Sequence, residues 1–117
     1  MEIEMPNQTQ AILQSHLQAA GVGVDAVMKD YSDASVLITH DATFRGLAEI
    51  RGFFATLLDG PSRGFIAALK MHRQEVVGDV AYILWEAKPW FRFATDTFVF
   101  RNGKILFQTF SAFRATE

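Results

Sequence analysis

Two residue pairs constrain this chain more than anything else in it: Gly78-Asp79 in "EVVGDVAYILWEA" and Asn102-Gly103 in "FVFRNGKILF". Both pairs suit two-residue hairpin turns, which need backbone conformations with positive φ. A turn that short leaves no slack, so it fixes the register of the strands on either side. From Phe65 onward the side chains alternate with period two. The pattern predicts four strands, Phe65 to Val77, Val80 to Ala87, Arg92 to Arg101 and Lys104 to Phe113, joined as consecutive hairpins.

The first half carries a different period. "NQTQAILQSHLQAAG" opens on a capping-type Asn7 and places Ile12, Leu13, His16, Leu17 and Ala20 at helical spacing, with Gly21 and Gly23 ending the helix. "VDAVMKDYS" predicts a second short helix, with Val27 and Tyr31 four apart. "ASVLIT" (Ala34 to Thr39) predicts a strand, and "HDATFRG" turns the chain back. "LAEIRGFFATLLDG" predicts a third helix with Ile50, Phe53, Phe54, Leu57 and Leu58 on one face, stopped by Gly60-Pro61. Helices followed by hairpin-connected strands imply an α+β fold with helices on one face of an antiparallel sheet. Such sheets twist and curl, so helices in the concavity can enclose a pocket. At 117 residues, a single domain over 1–117 is expected.

Asp96 stands out in this frame. It lies in mid-strand, away from any turn, although Asp is depleted in strands and an isolated buried carboxylate is costly. Alternation puts it on one face with Ala94, Phe98 and Phe100. Either that face lines a pocket, or Asp96 simply bonds a backbone group or Arg92.

Composition removes several function classes. A formal charge of −2 with scattered basic residues gives no footprint for nucleic acid. The absence of cysteine excludes thiol chemistry and disulfides. Three dispersed histidines, with no HxH or HxxxH spacing, predict no metal site. "MEIEMPNQTQ" lacks the pattern of a signal peptide, and no apolar run is long enough for a membrane span, so a cytoplasmic location is expected. No phosphate loop, dinucleotide fingerprint or nucleophile elbow occurs.

"YSDASVLIT", "TFRGLAEIRGFF", "GDVAYILWEA" and "DTFVFRNGKI", in that order over nearly the whole chain, resemble the SnoaL-like branch of the nuclear transport factor two-like superfamily. The resemblance implies a cone-shaped, curved sheet wrapped around helices, a deep cavity, and a homodimer through the outer sheet face. The superfamily holds ketosteroid isomerases, polyketide cyclases, dehydratases and non-catalytic binders, so the fold alone constrains function weakly. "DTFVFRNGK" is similar to the isomerase strand that carries the oxyanion-hole aspartic acid, which makes Asp96 the corresponding cavity acid. By the same comparison His16 stands where the isomerase has a tyrosine, and Ile38 where it has its general-base aspartate. Without that base, steroid isomerisation by the same route is not expected.

The resemblance assigns the Asp96 face to the cavity. Ile83, Trp85 and Ala87 on the preceding strand, and Gln108, Phe110 and Ala112 on the next, would join it. The expected site has Asp96 and His16 as catalytic residues, with Trp85, Phe98, Gln108, Phe110, Phe54, Ile38 and His40 around the ligand. Two states of Asp96 stay open: a protonated acid that donates to an oxyanion, or a carboxylate paired with His16. For His16 the plain reading is a packing residue, and for His40 an exposed turn. "KPWF" (Lys88 to Phe91) predicts an aromatic hairpin tip that shields the cavity or meets a second subunit. Tyr82, Leu84, Val99, Phe107 and Phe113 make the opposite sheet face too apolar for water, which also points to a dimer. Two functions follow: cofactor-free proton-transfer chemistry (isomerisation, cyclisation or dehydration) on a small apolar carbonyl compound, or a dimeric ligand-binding or interaction module.

Overall fold

The hairpin turns form where the sequence puts them. In the computed structural model, which describes residues 8–114, Asn102 and Gly103 have φ of 54° and 79°, the pair of positive values that an Asn-Gly turn accommodates. Gly78 opens the other turn with φ 59°. The elements run α1 (Gln8–Ala20), α2 (Val24–Met28), β1 (Val36–Thr39), β2 (Thr43–Arg45), α3 (Gly46–Asp59), a 3₁₀ turn (Phe65–Ala68), β3 (Lys70–Val77), β4 (Val80–Ala87), β5 (Phe91–Arg101) and β6 (Lys104–Arg114). Asn7 lies outside the described residues.

The six strands form one mixed, open sheet in the order β2-β1-β6-β5-β4-β3. β1 pairs with β6 in parallel, and every other pair is antiparallel. β6 is therefore an interior strand. Bulges bend the sheet: Arg92 is the unmatched residue on β5, Leu106 on β6 and His72 on β3. Each increases the local twist, and together they let the sheet curve around the helices.

Helices fill the concave side. Leu13 and His16 of α1, Val27 and Met28 of α2, and Ile50 and Phe54 of α3 are buried against the sheet's inner row. Ala81, Ile83, Trp85, Ala87, Ala94, Phe98, Phe100, Ile105 and Phe110 form most of that row. Burial of a side chain such as Leu13, Ile50 or Phe98 is worth about 1.5–3 kcal/mol each. Among the described residues, no helix is long and apolar enough to cross a membrane.

Four local expectations are corrected. "TFR" does not merely turn the chain; it forms β2 against β1. Phe65 to Ala68 is a 3₁₀ turn rather than strand, because Phe65 tucks inward and stacks on Trp85 at 5.6 Å between ring centroids. β1 begins at Val36, and its pairing turns Leu37 inward, opposite Gln108. Ile38 therefore faces out, 43% exposed, and is no part of a cavity wall. Finally, "KPWF" is a turn with Lys88 and Pro89 exposed, but its aromatics do not stand out from it. Trp90 lies against Gly64, and the Arg92 bulge turns Phe91 into the core beside Phe65 and Trp85.

Candidate functional site

Asp96 points inward and is 6% exposed. It sits opposite Ile83 on β4 and Phe110 on β6, so its carboxyl emerges into the sheet's concave face. Neither a backbone group nor Arg92 holds it. Trp85 Nε1–H donates to Oδ1 at 2.8 Å, and Gln108 Nε2–H donates to Oδ2 at 3.0 Å. One neutral donor on each oxygen favours the ionised form, while burial disfavours it. Burial prevails and pushes the Asp96 carboxyl up to about 6, against the two hydrogen bonds and the nearby His16. At neutral pH the carboxylate still predominates by about ten to one.

The polar chain extends beyond what the sequence suggested. Tyr31 O–H donates to Gln108 Oε1, which fixes the amide with its nitrogen toward Asp96. Tyr31 is buried, and desolvation, then the charges of Asp96 and Asp30, raises its phenol well above the ordinary value. It thus stays a donor. His16 does not pair with Asp96. Its Nδ1 lies 2.9 Å from Asp30 Oδ2, just beyond α2, and its ring meets Phe98 and Tyr31 edge-on. Asp30 carried no signal in the sequence; Tyr31 carried one, its place four residues after the buried Val27.

A hollow of about 60 Å³ adjoins Asp96. His16, Phe54, Trp85, Phe98, Gln108 and Phe110 all line it, so the structure brings together six of the expected ligand-site residues around the carboxylate. His40 does not join them. It is exposed on the β1–β2 loop beside Asp41, on the rim of a larger, half-open cleft of about 670 Å³. Phe53, Leu57 and Phe110 border both spaces and separate them. Among the described residues, no three His, Asp or Glu side chains converge as a metal site would require.

No protein-family model matches the sequence, and no curated protein matches it. Solved structures do match the fold. An NTF-2-like protein of unknown function from Burkholderia xenovorans LB400 superposes with a TM-score of 0.73 at 18% identity, over 94% of this chain and 86% of its own. The chain has the NTF2-like fold. A candidate SnoaL-like polyketide cyclase from Jannaschia sp. CCS1 is similar at TM-score 0.69 and 14% identity, over 96% and 91% of the two chains. A de novo designed protein with a curved β-sheet is as similar, at 0.74 and 17%, over 93% and 88%. A designed protein matches this fold at least as well as a candidate cyclase does, so the chemistry must be argued from the side chains.

Those side chains depart from the isomerase-type expectation within the NTF2-like frame. β1 turns Leu37, not a carboxylate, toward Gln108, while Ile38 points away. Asp96 is the carboxylate of the hollow, and its two N–H partners suit an acceptor better than an acid. Its remaining lone pairs are the ones a ligand could use.

Proposed function

We propose that this chain is a small-molecule-binding protein in which Asp96 accepts a proton from a small, largely apolar ligand, one with an acidic C–H beside a carbonyl. A carboxyl raised to about 6 is close to the poise that a general base needs near neutral pH. The observation that carries the reading is the buried carboxylate held by Trp85 and Gln108 at the edge of an aromatic hollow. The outer cleft falls within the size range of small-molecule sites, about 300–1,000 Å³, and supplies room for a larger ligand body once Phe53, Leu57 or Phe110 turns aside. His16 is the second polar group beside the ligand, with Asp30 fixing its ring.

Deuterium exchange tests this. Acetone and butanone are incubated with the protein in D₂O, and loss of the α-proton signal is followed by NMR. Faster exchange with wild type than with Asp96→Asn supports the base; equal exchange removes it. A non-catalytic binder is the second reading, favoured by the absence of a carboxylate on the inner side of β1. It predicts ligand-induced shifts without exchange.

The outer sheet face fits a second copy of the chain. Phe107 and Phe113 are 45% and 48% exposed there, with Phe93 and Val80 beside them. Flanking Thr95, Thr97 and Thr109 add no charge that a self-complementary interface would have to oppose.

A further inference from the structure

We propose that the outer cleft selects a ligand whose far end is anionic, an oxo acid, and that Arg114 is the residue that reads its carboxylate. The proposal rests on the reading that the carbonyl end of the ligand lies at Asp96.

Three observations carry it. First, β6 sends one row of side chains from the hollow to the cleft. Gln108 holds Asp96, Phe110 borders both spaces, Ala112 lines the cleft, and Arg114 stands at its end. Arg114 pairs with the buried Phe91, beyond the Arg92 bulge, which keeps it on the inner side. Second, Arg114 is a cation with no anion beside it. Its guanidinium lies over the Phe91 ring, 5.5 Å from the centroid, and among the described residues it forms no ion pair. A guanidinium held flat on an aromatic ring keeps its N–H edges for a planar partner, and a carboxylate matches two of them at once. Third, the surface between the two ends is largely apolar, with Phe44, Phe53, Leu57, Phe91 and Phe110 in the lining. It suits a hydrocarbon chain.

The cleft also carries two carboxylates, and both already have partners. Asp41 lies 3.4 Å from His40 and is mostly in water, and Glu49 Oε1 accepts the Arg45 backbone N–H at 2.8 Å. They moderate the attraction for an anion without replacing the missing partner of Arg114. A neutral ligand end would leave the guanidinium unpaired, and a cationic one would meet it as a like charge.

Strand geometry sets the length. Phe110 faces Asp96 across the β5–β6 ladder, and Arg114 is four residues farther along β6. At about 3.3 Å per residue the separation is about 13 Å. Extended 7-oxooctanoate covers most of that span, and the long arginine side chain closes the remainder. Acetone and butanone cannot touch both ends.

The test is an NMR titration of the whole chain with 7-oxooctanoate and with its methyl ester, at constant ionic strength. The Trp85 indole N–H reports on the hollow and the Ala112 amide N–H on the cleft. The expected result is saturable shifts of both signals, with the acid binding about tenfold more tightly than the ester. In Arg114→Gln that ratio should fall to about one, and Arg114→Lys, which keeps the charge without the planar fork, should restore part of it. Ester binding as tight as acid binding overturns the proposal, as does a tenfold ratio that survives Arg114→Gln. If acid and ester shift Trp85 equally, the Arg114 site falls while the carbonyl reading stands. If the acid shifts Ala112 selectively and never Trp85, Arg114 remains an anion site and the carbonyl reading falls. If neither probe shifts either signal, both fall.

Discussion

Trp85 reaches diagonally across the β4–β5 ladder to hold Asp96. The indole lies opposite Ala94, and the carboxylate opposite Ile83, yet the 2.8 Å bond joins the two on the inner face. Trp85 is at once wall and donor. Trp85→Phe keeps most of the wall and removes the donor. The loss should be about 1.5–3 kcal/mol while Asp96 is ionised, and smaller once it is protonated. Urea unfolding at pH 8 and pH 5 measures both; an equal loss at the two would contradict the geometry.

Asp96→Asn should abolish a pH effect. The carboxyl lies at about 6 in the fold against an ordinary 3.8, so the folded state binds the proton more tightly. Wild-type stability is greatest with respect to this group below the unfolded value and declines as pH rises from about 4 to about 6. The full difference is about 3 kcal/mol. Asn does not titrate. Its carbonyl can accept from Trp85, and its amide can donate to a rotated Gln108, with the Tyr31 hydroxyl turning to accept. The gap between variant and wild type should therefore shift in the variant's favour across that window; parallel pH profiles would refute the buried carboxylate.

Tyr31→Phe removes the donor to Gln108 and leaves Oε1 buried without it. A loss of about 1 kcal/mol is expected in chemical denaturation. Because burial keeps the phenol protonated, the same change should leave the alkaline spectrophotometric titration of the folded protein unaltered. A lost titrating tyrosine would show that the ring is not where it is described.

At Gly64, an added Cβ would stand 2.8 Å from the Trp90 ring. Gly64→Ala should cost about 1–3 kcal/mol by overpacking, and change Trp90 fluorescence. An unaltered melting temperature would mean the indole does not rest on that backbone.

On the outer face, Phe93 and Phe113 already touch, with ring centroids 4.6 Å apart, and Phe107 is exposed farther along the same face of β6. Sedimentation of wild type as a dimer, and of the Phe107→Glu, Phe113→Glu double variant as a monomer, is the expected outcome. A wild-type monomer at tens of micromolar would leave this face without a second copy.

The direction of Asp96 was legible because alternation runs unbroken along β5 from Ala94 to Phe100, whereas the pairing counted from the Asn102-Gly103 turn slips by one residue at Leu106. The same counting failed for Ile38. β1 has four residues and no adjoining hairpin signal, and its facing is decided by parallel pairing with a strand about seventy residues later. Arg92 shows the other limit: one bulged residue swaps inside for outside, and nothing in "PWFRFA" announces it. "GFIAAL" reads equally as strand or helix, and docking of Phe65 on Trp85 settles it. Asp30 was invisible because its role exists only once α1 lies across the loop after α2.

The placement of β6 has a consequence for how the protein assembles. Gln108 and Phe110 belong to the strand made last among those described, yet that strand is wedged between β1 and β5. Local hairpins can zip early, whereas the β1–β6 ladder must close a long loop before it yields any contact. During synthesis on the ribosome, the pocket floor therefore cannot exist until the polypeptide through residue 110 has cleared the exit tunnel.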